Sequence, residues 1–571
     1  MKQARPRTDK RRAAAVSAGP MLQPWHYWAA LGAAFLAVCI VYWPAVDGPF
    51  VLDDLYLPFT APESAGAPLL HWVRGLRPLL MFTFWINCRI SGLETFSYHF
   101  LNLLLHLATG ALSFLIVRKF LDRAGESGWK RDGLAAFAAG LFLLHPLQTE
   151  SVAYVASRSE TLSVMFFYAA FALFLYRRSE AIGWLEALGV LALFAAAVST
   201  KEHAAVLPAL LLLTDVFWGS LRSIRRNWRL YVPLALAVAP ALRMVWHVLR
   251  GNNTAGFSVQ AFTWVQYFWT QCRAIWFYIR LLLLPYGQNV DHDFAVSTTP
   301  TAHGAAIGLV ALLLAVAAAV YYRRRFPLGS YGFLTFLLLL APTSSFVPIL
   351  DVVAERRLYL PFIGLLLVVV DVVRRWKAPP RRVAAALAGV LALMAVLTYS
   401  RSAVWGNAEA LWKDAVSKSP AKGRPHLQLG FVYFAQQRYA AALPEFEAAA
   451  RYGGRTYAVL VDLGQDYEYL GRHDEAIAAL RQAAALLPDA NTNSMVALAC
   501  LRAGRYAEAA QALDTAERLD PSFAPTYAYR GYLYAARNDL AAAAKEYRHA
   551  LSLDPANEVA RDGLARLGAA R

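Results

Sequence analysis

Residues 262–284 read FTWVQYFWTQCRAIWFYIRLLLL, and the fold turns on whether this stretch crosses a membrane. It has the length, since about 20 residues span a bilayer core. Its content argues otherwise. Gln266, Gln271, Arg273 and Arg280 interrupt the apolar run, and Trp264, Tyr267, Trp269, Trp276 and Tyr278 suit a membrane–water interface. Charge decides the matter. Apolar runs long enough to span begin near Trp25, Phe96, Gly133, Glu160, Gly183, His203, Leu230, His303, Tyr331, Leu358 and Val383. Basic clusters lie at the N-terminus, at Arg118–Arg131, Arg177/Arg178, Arg222–Arg229, Arg323–Arg325 and Arg374–Arg382. If 262–284 spans, the last two clusters fall outside, against the rule that Lys and Arg gather on the cytoplasmic side. If it re-enters or lies along the interface, every cluster is cytoplasmic. The expectation is an all-α polytopic domain over residues 25–402, with about eleven spans plus interfacial helices, behind a cytoplasmic basic tail over 1–24.

Composition agrees. The chain has 571 residues, 58% hydrophobic and only 17% charged, with a mean hydropathy of +0.37, which is too apolar for a soluble protein of this size. The net charge of +17 would suit nucleic acid, but the basic residues sit between apolar runs and act first as topology signals, so no nucleic-acid partner is expected. Cys39, Cys88, Cys272 and Cys500 show neither a CxxC pair nor metal-ligand spacing. The basic start MKQARPRTDKRR ahead of Trp25–Val46 reads as an uncleaved signal anchor.

The last third is different. Ala442, Ala476, Ala509 and Ala543 recur at intervals of 34, 33 and 34. Phe446, Leu480, Leu513 and Tyr547 follow four residues later, and Ala449, Ala483, Ala516 and Ala550 complete the register. Pro488, Pro521 and Pro555 close repeats, while Gly430, Gly464 and Gly531 sit in first helices. This is the tetratricopeptide pattern of stacked helix pairs. It predicts an α-solenoid over 403–571 with about four repeats, a half-repeat at 407–418 and a capping helix at 557–571. Such arrays present a groove for an extended peptide or protein, and the plainer reading is a stabilising appendage.

With 262–284 held out of the membrane, one face collects Asp53, Asp54, Arg77, His145, Glu150, Arg158, Glu160, Lys201, Glu202, Arg273, Asp291, Asp293, Glu355 and Arg356. Charges of both signs in one layer at span ends suggest a polar cavity. A carboxylate beside a hydroxyl serves as general base, a role for Asp53 or Asp54. A guanidinium or ammonium stabilises a departing phosphate, a role for Arg77, Arg158, Lys201 or Arg356. His145 and Glu150 are placed to orient an acceptor or phosphate. The plainer readings are a helix cap or cation site for the Asp pair and internal salt bridges for Lys201-Glu202. Asp291-His292-Asp293 reads as a solvated loop, and no metal site is indicated.

FVLDD (50–54), HPLQTESVAYVASRSETLS (145–163), STKEH (199–203) and AERRLYLP (354–361) follow one another in order, with Arg77-Pro78 between the first two and a tetratricopeptide tail after the last. Together they resemble the TMTC family of transmembrane, tetratricopeptide-containing O-mannosyltransferases, part of the GT-C glycosyltransferase superfamily. The resemblance implies a polyprenyl-phosphate-linked sugar donor, mannose in the family, and an acidic motif in the first outer loop matched by Asp53 and Asp54. It implies donor-phosphate contacts for Arg356, Lys201, Arg158 and Arg77. Acceptor or sugar contacts fall to His145, Glu150, Glu160, Glu202 and Glu355. The short loops and four-repeat array point to a bacterial member in the inner membrane, with a cytoplasmic N-terminus and a periplasmic array that binds the protein acceptor. No cofactor is expected. Two rivals remain: a ligase or polymerase using a lipid-linked oligosaccharide, and a non-enzymatic, membrane-anchored scaffold.

Overall fold

The computed structural model describes residues 23–251 and 254–569, and these contain helices and turns but no extended strand. The basic tail expected over 1–24 therefore lies, but for its last two residues, outside the described part. The chain forms two compact units, Met1–Gln288 with Phe294–Asn407, and Asn289–Asp293 with Ala408–Arg571.

In the first unit, among the described residues, five helices are long and apolar enough to cross a membrane: Pro24–Ala45, Phe96–Arg123, Val155–Leu175, Ala302–Arg324 and Pro380–Trp405. Three shorter apolar helices, Trp184–Val198, Pro327–Leu340 and Phe362–Val373, accompany them. Prolines open several helices of this unit (Pro24, Pro327 and Pro380 among those, and Pro78 in Pro78–Ser91), at positions whose amide has no partner within the helix. The expected run at His203 begins later than its composition suggests. Residues 202–206 form a tight turn, and the helix proper is the 12-residue Leu207–Trp218. At 1.5 Å per residue it reaches about 18 Å, short of a hydrocarbon core about 30 Å thick.

Residues Trp264–Leu283 form one helix that is not among the five of spanning character. Its polar residues have structural tasks. Thr263 and Gln266 cap its start reciprocally, with Gln266 N–H donating to Thr263 Oγ1 at 3.3 Å and Thr263 N–H to Gln266 Oε1 at 2.9 Å. Gln271 donates to the Val352 carbonyl at 2.8 Å, on the buried face shared with Tyr267, Ala274, Tyr278 and Leu281. Trp264 and Val265 stay exposed.

The second unit has four helix pairs: Gly423–Ala435/Tyr439–Gly453, Tyr457–Tyr469/His473–Leu486, Ala490–Arg502/Tyr506–Leu519 and Ala524–Ala536/Leu540–Leu553. Ala408–Lys418 precedes them and Glu558–Ala569 follows. The repeated glycines have a physical cause. A Cβ on Gly430, Gly464 or Gly531 would come within 2.7, 2.5 or 2.6 Å of Phe446, Leu480 or Tyr547, the large residue of the same repeat. Between the two helices of each pair, Gln437, Gly471, Gly504 and Asn538 all take positive φ (59°, 73°, 74° and 64°). The array keeps a left-handed turn there even where the sequence supplies no glycine.

Asp291-His292-Asp293 is not the solvated loop expected. Asp291 is 3% exposed in the second unit, where Arg424 grips its carboxylate through two bonds of 2.6 Å and Lys422 adds a third at 2.5 Å. Ser419 Oγ donates to the Asp291 carbonyl at 2.9 Å and accepts from Asp293 N–H at 3.0 Å. The helix from Pro380 runs to Trp405, and the second unit resumes at Ala408.

Candidate active site

Asp53 and Asp54 are adjacent, yet the fold gives them opposite environments. Leu52, just before them, has a φ of +52°. A non-glycine residue held there costs of order 1–3 kcal/mol and persists only where the surroundings impose it. That twist leaves Asp53 exposed and turns Asp54 inward to 1% exposure. Asp54 is then consumed as an anchor. Its oxygens accept from Val51 N–H at 3.1 Å and Ala156 N–H at 2.6 Å, and burial raises its carboxyl to about 7 against those two donors. The Tyr154 hydroxyl completes the clamp by accepting from Asp53 N–H at 2.8 Å. Among the described residues, no hydrogen bond or ion pair forms on the Asp53 carboxylate itself.

Around this loop stand three cations, each supplied by a different element. Arg77, just ahead of the helix Pro78–Ser91, makes a two-pronged bond to Glu202, Nε to Oε1 and Nη2 to Oε2, both 2.9 Å. Lys201, in the turn after Trp184–Val198, pairs with Glu160, whose other oxygen lies 3.6 Å from His203. Arg356 pairs with Glu150, which also accepts the Arg356 backbone N–H at 3.0 Å, and reaches Asp351 at 3.3 Å. The three pairs share one electrostatic neighbourhood. Arg77 feels the charges of Glu160 and Asp53, Lys201 feels Arg77 and Arg356, and Tyr154 feels Asp53 and Arg356.

Burial works against every charge in this layer, and the partners decide the result. It lowers the Lys201 ammonium even with Glu160 in contact, and it raises the Glu150 carboxyl even with Arg356 in contact. At Glu202 burial is outweighed by the Arg77 contact, and the carboxyl is held low. The cations keep partly open faces, with side chains 37% (Arg77), 19% (Lys201) and 23% (Arg356) exposed.

The other expected residues are buried beside this layer, Arg158 within reach of the Asp54 charge and Glu355 within reach of Glu150. Arg158 is wholly buried in packing and presents no open face. Its guanidinium is spent on Asn102 Oδ1 (2.9 Å), Asn87 Oδ1 (2.6 Å) and the Tyr98 carbonyl (2.9 Å), and lies 4.4 Å from the Phe84 ring centroid. His145 ends a helix with both ring nitrogens engaged: Nδ1 accepts from Leu147 N–H at 3.2 Å, which leaves Nε2–H to donate to the Leu282 carbonyl at 3.0 Å. Glu355 is buried and accepts from Gln288 Nε2 at 3.0 Å. Sequence reasoning missed Tyr154, Asp351 and the strained Leu52. Tyr154 sits inside the quoted HPLQTESVAYVASRSETLS stretch, but an aromatic residue there looks like packing. Among the described residues, no group of three or more His, Cys, Asp or Glu side chains has an arrangement that could hold a metal ion.

This grouping of distant motifs is matched by similarity along most of the chain. A protein O-mannosyl-transferase of Caenorhabditis elegans is 26% identical over 424 residues, covering 69% of this chain and 58% of that protein. Protein O-mannosyl-transferase TMTC3 is 25% identical in mouse, covering 91% of this chain and 63% of the relative, and 25% identical in human, covering 85% and 58%. Its relatives are protein O-mannosyl-transferases. The chain spans about 60% of the length of these curated relatives. A tetratricopeptide-repeat family model matches residues 427–491, 461–524 and 495–558, in register with the helix pairs.

Proposed function

We propose that this protein is a membrane glycosyltransferase that moves one monosaccharide from a polyprenyl-phosphate donor to a Ser or Thr hydroxyl of a protein, inverting the anomeric carbon. The observation that carries the reading is the unpartnered Asp53 carboxylate, held on a strained loop within reach of the Arg77 charge, with Tyr154 feeling both Asp53 and Arg356. Asp53 takes the hydroxyl proton as the oxygen attacks the anomeric carbon from the face opposite the phosphate. The sugar–phosphate C–O bond breaks, and its electron pair leaves on the phosphate. Arg77, Lys201 and Arg356 meet that growing charge with their open faces. Asp54 and Tyr154 hold the base in position, and Glu150, Glu160 and Glu202 set the directions of the cations. The tetratricopeptide array raises the acceptor's effective concentration at the site. Mannose is the sugar the relatives' names support. A bacterial inner membrane, with the array on the periplasmic side, remains the setting we favour.

One observation favours a second reading. Every cation of the layer is already paired with a carboxylate, as a structural scaffold would have it. The two readings part on one experiment. Purified protein incubated with polyprenyl-phosphate mannose and a Ser/Thr-rich peptide should release lipid phosphate and add a single hexose, and Asp53→Asn should lower both by roughly 100-fold or more. Unchanged release by a well-folded Asp53→Asn protein sinks the assignment of Asp53, and no release by the parent protein favours the scaffold.

A further inference from the structure

Far along the chain from the Asp53 loop, the first unit carries a groove that the proposed reaction does not use. The helices Pro327–Leu340 and Phe362–Val373 meet backbone to backbone at two glycines. A Cβ on Gly332 would lie 2.4 Å from the Gly364 carbonyl oxygen, and one on Gly364 would lie 2.5 Å from that of Gly332. Their neighbour Ala305–Tyr321 belongs to the most apolar of the five spanning segments, and only 6% of that segment's apolar window is covered by protein. Between this helix and the glycine-locked pair runs a groove of about 360 Å³, walled by Ala315, Ala318 and Ala319 on one side and by Phe333, Val368 and Val372 on the other. Seven residues separate Ala315 from Tyr322, which gives the groove a length of about 10 Å along the helix.

Tyr322, Phe326 and Asp371 line one end of the groove, and the exposed Arg323, Arg324 and Arg325 lie between the two aromatic residues in the chain. The Asp371 carboxylate is held by Arg374 and Arg375, so it leaves no open negative charge there. The neighbouring cations at this end are occupied: Arg374 by Asp371 and Glu126, and Arg375 by Asp371, with its guanidinium 4.5 Å from the Phe326 ring centroid. Arg323 and Arg324 have no carboxylate partner among the described residues. Topology alone would put arginines at a helix end. It would not need an apolar trough of small side chains ending at the two aromatic residues that flank them.

We propose that this groove is a binding site for an anionic phospholipid, with one acyl chain between the alanine wall and the Phe333–Val368 wall and the phosphate on Arg323 and Arg324. Uncommitted guanidiniums above a lipid-depth groove select the headgroup by charge, as basic pockets between spanning helices do, and the apolar floor excludes a free phosphate ion as the ligand. The test uses the full chain in detergent, given phosphatidylglycerol or phosphatidylcholine of identical chains, with retained lipid counted by native mass spectrometry and unfolding followed by temperature. One phosphatidylglycerol per chain should be retained at least fivefold better than phosphatidylcholine, with a matching rise in unfolding temperature. The double variant Arg323→Gln/Arg324→Gln should lose the preference. Ala318→Phe, which fills the groove and keeps the arginines, should lose the retained lipid. Equal retention of the two lipids by the parent protein overturns the proposal without any variant. Undiminished phosphatidylglycerol retention by Ala318→Phe overturns it as well, because the arginines would then be acting only on the membrane surface.

Discussion

The charged layer of the first unit and the helix pairs of the second solve opposite problems. In the array, contacts are local: Gly464 meets Leu480 sixteen residues later, and the same geometry recurs 33 or 34 residues on. In the layer, partners are far apart in sequence. Arg77 finds Glu202, Arg356 finds Glu150, and Asp54 reaches Ala156. Local repetition tolerates individual exceptions, because every neighbour supplies the same support. A layer of buried charges does not, since removing one partner strands the other in a medium that cannot solvate it.

That contrast can be broken most severely at the free carboxylate. Asp53→Asn should lower transfer roughly 100- to 10,000-fold with little change in unfolding temperature, measured as hexose added to a peptide by the purified protein. Next is Glu150→Ala, which leaves Arg356 without its buried partner. Because Arg356 keeps Asp351 and a side chain 23% open to solvent, we expect a loss of about 1–3 kcal/mol, seen as a lower unfolding temperature in detergent and a smaller folded yield.

The buried aspartate sharpens the comparison through pH. With its folded-state carboxyl at about 7 and an ordinary value near 3.8, Asp54 binds more protons folded than unfolded across that window. This group's contribution to stability must fall as pH rises from about 4 to 7, by at most about 1.4 kcal/mol per pH unit. Asp54→Asn should flatten that slope in melts recorded across the range. In the array, Gly464→Ala presses a methyl into Leu480 and should cost about 1–3 kcal/mol, confined by hydrogen exchange to Tyr457–Leu486. The smallest effect belongs to the non-glycine turn. Gln437→Gly should stabilise the first pair by about 0.5–1 kcal/mol, read as slower exchange over residues 423–453.

How legible each region was follows from the same physics. Alanine spacing and recurrent glycines revealed the array, because helix pairs bury faces that repeat in sequence. Its turns at Gln437 and Asn538 escaped notice, since only glycine advertises a left-handed residue. For the layer, charge at span ends put Asp53, Arg77, Glu150, Glu160, Lys201, Glu202 and Arg356 on one face, together with Asp54, His145, Arg158, Arg273, Asp291, Asp293 and Glu355. It could not separate Arg158, whose charge is spent on Asn87, Asn102 and the Tyr98 carbonyl, because amides and carbonyls carry no signature of a buried guanidinium's partner.

By itself the sequence determined what depends on composition and period: an all-helical chain, apolar enough for a membrane, ending in a tetratricopeptide array, with a collection of charged motifs in a fixed order. Tertiary structure alone decided which of two neighbouring aspartates is open. A backbone twist at Leu52 and two amides, one of them 102 residues away at Ala156, turn Asp54 inward and leave Asp53 outside. Identical side chains at adjacent positions differ only in where the backbone points them, and the contacts that fix that direction come from distant parts of the chain.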